Sequence, residues 1–93
     1  MAKMSKKRDR LGVIYDFLRI IQEDHNSIKP TPLLRKTNLS SQSFAEYFQE
    51  LISKGFIKEV FNKNKKFITL TDKGFKYLER YKNILGFIDE FEL

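Results

Sequence analysis

The sequence predicts a mostly helical domain carrying one small β-hairpin, with its elements in the order α-α-α-β-β-α. Three observations predict it. Apolar residues recur at helical spacing in two segments before residue 55, with a short Leu-Leu segment behind two prolines between them. The period then switches to two over residues 56–70, where aromatic and β-branched residues dominate. It returns to a helical repeat over about 72–92.

Helix 1 is predicted over about 9–24. Leu11, Ile14, Leu18 and Ile21 form its apolar stripe, Phe17 and Ile20 widen it, and Arg19, Gln22 and Glu23 lie off it. His25, Asn26 and Ser27 favour a turn. Thr31 is expected to cap helix 2, with Pro32 at the first helical position, where a missing N–H costs nothing. That helix runs through Leu33, Leu34, Arg35 and Lys36 and stops near Asn38. Ser40 caps helix 3 at about 41–54, in which Phe44, Tyr47, Phe48, Leu51 and Ile52 repeat on one face. Gly55 stands where a left-handed C-cap residue belongs. Two helices joined by a few residues, the second opening on small polar side chains, make a helix-turn-helix.

Residues 56–61 and 66–70 are predicted strands, with Asn62, Lys63, Asn64 and Lys65 as the hairpin loop. Ile68 and Leu70 are expected in the core, and Phe61 and Phe67 as a cross-strand pair. Thr71 caps the last helix, in which Gly74 is an early weak spot. Leu78, Tyr81, Leu85 and Ile88 recur at three- and four-residue steps, the seam of a coiled coil. Tyr77, Ile84 and Phe91 repeat every seven on an adjacent stripe. A helix apolar over two stripes needs two partners, here helix 1 and the same helix of a second chain. The element order is that of a winged helix-turn-helix with one long extra helix, giving a domain over 9–71 and a dimerisation helix over 72–93.

Ninety-three residues suit one domain. A chain this short buries only a little over ~60% of its unfolded surface, so a monomer is marginal. Disulfides are excluded because there is no cysteine, and a Cys/His zinc site because His25 is the only histidine. Oligomerisation is the remedy left. No apolar run approaches the ~20 residues that span a bilayer, and no apolar segment follows the charged residues 1–10 as it would in a secretory leader. The expected location is cytoplasmic and nucleoid-associated. No glycine-rich phosphate loop and no nucleophile with a base is evident, so no enzyme, cofactor or small-molecule ligand is expected.

The formal charge of +6 is unevenly spread. Residues 1–10 carry five basic side chains and one acidic, and residues 56–73 five basic and two acidic. Residues 11–55 balance, and the last twenty are slightly acidic. Such local excess attracts polyanions by counterion release.

The chain resembles the small archaeal winged-helix DNA-binding proteins whose C-terminal helix forms an antiparallel coiled-coil dimer. The resemblance rests on Asn38-Leu39-Ser40, on Tyr47-Phe48 followed by Leu51 and Lys54-Gly55-Phe56-Ile57, and on Leu70-Thr71-Asp72-Lys73-Gly74 followed by Tyr77-Leu78. It covers about residues 10–90 and implies a chromatin-associated protein or a transcriptional regulator. In such a fold helix 3 enters the major groove by its N-terminal half and the wing meets the backbone. The candidates on helix 3 are Ser40, Ser41, Gln42 and Ser43, whose hydroxyls and amide suit base edges and whose free N–H groups suit a phosphate. Backbone contacts are expected from Lys63, Lys65 and Lys66 on the wing and from Arg35 and Lys36 on helix 2. A disordered basic arm over 1–8 adds Lys6, Lys7 and Arg8, with Arg10 at its root. Tyr77, Leu78, Tyr81, Ile84, Leu85 and Ile88 are the dimerisation candidates. Against groove entry, helix 3 holds no cation before Lys54 and turns Glu46 and Glu50 outward. A protein-interaction module that does not bind DNA is the alternative, and an RNA-binding wing shares the same electrostatics.

Overall fold

Asp9 opens the described part of the chain, residues 9–93 of a computed structural model, by capping the first helix: its carboxylate accepts from the Gly12 N–H at 2.8 Å. Helix α1 (Arg10–Glu23) turns Val13, Ile14, Phe17, Leu18, Ile20 and Ile21 inward, while Leu11 stays half exposed. His25 and Asn26 then take left-handed backbone, with φ 61° and 56°. Reversed in this way, Asn26 offers its side-chain oxygen to the Leu70 N–H at 2.7 Å. Ile28 follows in extended form and exchanges two backbone hydrogen bonds with Ile68, at 3.2 and 2.7 Å.

That bridge explains a correction. Helix α2 (Pro30–Thr37) is preceded by Lys29 at the cap position, with Pro30 rather than Pro32 at the first helical position and no side-chain cap from Thr31. A residue before proline is pushed to extended backbone, which continues the Ile28 bridge, and Pro30 takes the position whose N–H is free in any helix. Pro32 falls among the same unbonded donors. Left-handed Asn38 (φ 59°) ends α2.

Ser40 caps α3 (Ser41–Ser53) by accepting from the Ser43 N–H at 3.1 Å. Leu51 is fully buried, and the Phe44 ring stacks between Phe17 at 5.2 Å and Phe48 at 5.8 Å. Gly55, at φ 80°, turns the chain into the hairpin.

Strands β1 (Ile57–Asn62) and β2 (Lys65–Leu70) pair antiparallel, with Asn62 opposite Lys65. The loop is therefore two residues and not four. Lys63 and Asn64 both have positive φ, 53° and 66°, as a type I′ turn requires, and this turn lets each strand run one residue further. The register sets Val60 opposite Phe67 and Phe61 opposite Lys66, so the two phenylalanines do not face each other, and Phe61 stands 66% exposed. Only Ile57, Ile68 and Leu70 of the hairpin are buried: its base belongs to the core and its tip to solvent.

Thr71 caps α4 (Asp72–Glu90), accepting from Gly74 and donating to the Gly55 carbonyl at 2.5 Å. A Cβ on Gly74 would sit 2.4 Å from the Phe56 carbonyl oxygen. What the sequence presents as a weak spot is a close approach of α4 to the backbone that leads into the hairpin. Leu78 is buried in the core, which α1 dominates, and from Lys82 onward every residue of α4 is exposed. Among the described residues no helix is long and apolar enough to cross a membrane.

Candidate nucleic-acid interface

The cap at Ser40 fixes the start of α3, so that Ser41 and Gln42 point to solvent and Ser43 is half-buried. The Ser40 hydroxyl is itself engaged by Ser43, which leaves the free N–H groups of the first turn and the Gln42 amide as the donors there. One turn further on, a shallow polar cleft gathers Arg10 from α1 with Ser43, Glu46, Tyr47 and Glu50 of α3.

Within this cleft the outward carboxylates differ. Arg10 forks onto both oxygens of Glu50, one at 2.9 Å, and Lys54 reaches the same carboxylate at 2.9 Å. These hydrogen bonds, Arg10's first, hold the Glu50 carboxyl down to about 2 and raise the Arg10 guanidinium. Glu50 is thus compensated, and the repulsion anticipated from two bare carboxylates reduces to that of exposed Glu46. The Arg10–Glu50 contact joins residues 40 apart, so no local spacing signals it. It also gives Arg10, expected as a phosphate contact at the root of the arm, a carboxylate partner on α3.

A second cleft lies where α2 begins beside the wing, lined by Pro30, Thr31 and Pro32 and by Lys29, Lys65 and Lys66. Lys29 is the cation that sequence reasoning missed. Its position before Pro-Thr-Pro marks a helix start, but only the Ile28–Ile68 bridge carries it to the wing. Lys63 occupies the hairpin tip. Arg35 and Lys36 end α2, both exposed, and line neither cleft. Lys36 lies 3.9 Å from Asp24, and Lys66 3.2 Å from Glu59. Both pairs are largely exposed, where such contacts contribute little, so a phosphate can displace the acid. Lys6, Lys7 and Arg8 lie outside the described residues.

The dimerisation candidates divide. Leu78 is buried in its own domain, because its turn of α4 overlaps the stripe that faces α1 and the hairpin. It offers nothing to a second chain. Tyr77 is half-buried with its hydroxyl on the Leu11 carbonyl at 2.8 Å, and burial chiefly, with Tyr81 beside it, pushes its pKa up to about 12. Tyr81 stacks on Tyr15 at 4.8 Å. Ile84, Leu85 and Ile88 stand exposed, joined by Phe91 of the adjacent stripe and by Phe87, which neither stripe includes.

A family model described as winged helix-turn-helix matches residues 7–88. The chain belongs to the winged helix-turn-helix family. A relative by sequence is an uncharacterized protein of Methanocaldococcus jannaschii, 41% identical over 70 residues, which are 75% of this chain and 66% of that protein. The match therefore spans just under two thirds of the relative's length. Among solved structures the winged-helix fold is similar to that of Sso10a-2, a DNA-binding protein from Sulfolobus solfataricus, with a TM-score of 0.74 at 14% identity over 91% of this chain and 86% of that one. It is similar also to F93 from STIV, a winged-helix DNA-binding protein (TM-score 0.72, 19% identity, 85% and 91% of the two chains). The oxidized form of MarR from E. coli matches at TM-score 0.72 and 21% identity over 81% of this chain and 54% of that one. At these identities the likeness is one of fold.

Proposed function

We propose that this winged helix binds duplex DNA as a homodimer, with the N-terminal half of α3 in the major groove and the wing on the phosphate backbone. The observation that carries this reading is the convergence of Lys29, Lys65 and Lys66 on one cleft between the start of α2 and the wing. Three cations around a cleft suit a phosphate better than any partner that lacks regular negative charge. Compensation of Glu50 supports the placement of α3, and the DNA-binding proteins that share the fold support the ligand class. With Ser and Gln as the only uncharged polar readers on α3, the binding is dominated by the backbone, which suits a chromatin component on the nucleoid more than an operator-reading regulator. The two copies pair through α4, whose Ile84, Leu85, Ile88 and Phe91 lie exposed in its last turns as an apolar stripe of the kind that marks protein–protein contact.

The test is fluorescence anisotropy on a mixed-sequence duplex and on duplexes selected from a random library, at two salt concentrations. If six to eight cations meet phosphates across the dimer, log K falls against log salt with a slope of about −5 to −7. Similar affinities for both duplexes with that slope support backbone binding. A selected site preferred by ~10³ or more makes the protein a regulator instead. Silence on every duplex removes the proposal and leaves the protein-interaction reading, for which exposed Glu46 on α3 is the motivating feature.

A further inference from the structure

Resting on the dimer reading, we infer that the two-fold axis of the pair passes beside Ile84, and that Phe91 of each copy fills a cleft on the other copy's winged domain. The cleft holds about 330 Å³. Leu11, Phe56, Tyr77, Tyr81 and Ile84 are its apolar and aromatic lining. Its walls are preformed: Tyr77 and Tyr81 stack at 5.9 Å, Phe56 meets the Tyr77 ring edge-on at 5.6 Å, and the Tyr77 hydroxyl is anchored on α1. The remaining lining is Lys73, Lys76 and Arg80, so the rim is wholly cationic.

The same helix supplies the complement. Beyond Ile84 it exposes Phe87, Ile88 and Phe91, and its end carries Asp89, Glu90 and Glu92. Lys73, Lys76 and Arg80 thus outnumber Asp72 and Glu79 in the first half of α4, while every charged residue after Lys82 is acidic. Tyr77 and Phe91 each lie seven residues from Ile84, ~10 Å along the axis in opposite directions. In an antiparallel pair centred on Ile84, the residue n places before it faces the residue n places after it. The partner's Phe91 then meets Tyr77 at the cleft, the partner's Glu92 faces Lys76, and the partner's Glu90, opposite Leu78, lies between Lys76 and Arg80; the partner's Asp89, opposite Glu79, meets a like charge. A parallel pair would set acid against acid and leave the cleft open. The balance of charge agrees with the antiparallel pairing that the resemblance implies, and the apolar spacing selects its register. The cleft and the free end of α4 are the two halves of one interface.

The chain lacks cysteine, so introduced thiols report cleanly. Lys76→Cys and Glu90→Cys, both at exposed positions, are prepared with different tags, mixed, and treated with a short bismaleimide. The proposed register brings 76 beside the partner's 90 and holds the 76–76 and 90–90 pairs ~18 Å or more apart along the axis. The expected product is a hetero-linked dimer, with no linkage when either variant is treated alone. Phe91→Ala is expected to weaken the dimer about 100-fold by sedimentation equilibrium. Linkage of Glu90→Cys with itself, or the absence of a 76–90 link in the mixed variants while the wild type sediments as a dimer, overturns this register while leaving the homodimer standing. A wild-type chain that sediments as a monomer removes the homodimer and the register together.

Discussion

On the outward face of α3 a carboxylate repels a phosphate-lined groove, and Glu50 escapes that effect through two cations that come from outside its own turn. Arg10 from α1 is the larger influence and Lys54 the second, and together they hold its carboxyl at about 2 against an ordinary 4.5. Because the folded value is depressed, the pairing contributes stability that is present above pH 4.5 and is lost as pH falls through about 2. Denaturant midpoints of the wild type and Glu50→Gln should therefore differ at neutral pH and converge as the solution is taken down to pH 2. A gap that persists at pH 2 would mean that the substitution acts through something other than this charge. The Lys54 contact is an i,i+4 spacing legible in the sequence, whereas the larger Arg10 contact was not legible locally. The sequence presents Glu50 one turn from Glu46 on an outward face, and only the tertiary fold brings Arg10 to it.

Glycines in α4 show how an element's context reverses a propensity. Gly74 has no room for a Cβ, with the Phe56 carbonyl oxygen 2.4 Å away, whereas Gly86 has nothing within 4 Å. Alanine is the better helix former at both positions by about 1 kcal/mol. Gly86→Ala is expected to raise stability by about that amount. Gly74→Ala should lower it by roughly 1–3 kcal/mol, since α4 must back away from the hairpin. Urea titrations of the two variants check both signs. Elements of this kind were largely readable in advance. Ser40 and Thr71 cap where their side chains predict, Gly55 turns, and Ile68 and Leu70 are buried. The miss at the start of α2 has a long-range cause. The start of α2 shifted by two residues because Ile28 bridges to Ile68, a long-range pairing that outweighs the local choice between Pro30 and Pro32.

For the whole molecule, α4 serves two structures. Its first turns complete the core through Gly74 and Leu78, and its last three turns expose an apolar stripe. Leu85→Glu leaves the first part alone and is expected to yield monomers in sedimentation velocity, with weaker apparent DNA affinity through lost avidity. Neutralising Lys63, Lys65 and Lys66 together should reduce the salt slope of DNA binding by up to about three for each wing that touches DNA. An unchanged slope would take the wing out of the interface. The periodicity of α4 announced two apolar stripes, but it could not tell which turns the domain keeps for itself. Leu78 went inward because of where α1 and the hairpin sit, a fact of assembly and not of spacing.

The wing tip carries one more consequence. Its two turn residues both hold left-handed backbone, at φ 53° for Lys63 and 66° for Asn64. Asparagine tolerates that geometry, whereas for lysine it costs roughly 1–2 kcal/mol. A library randomised at position 63 should therefore diverge under two regimes. Survivors of repeated heating would drift to asparagine or glycine there, and survivors of retention on an immobilised polyanion would keep lysine or arginine. Sequencing the two pools would show, at a single codon, how far comfort of the backbone has been given up to hold a positive charge at the furthest point of the hairpin.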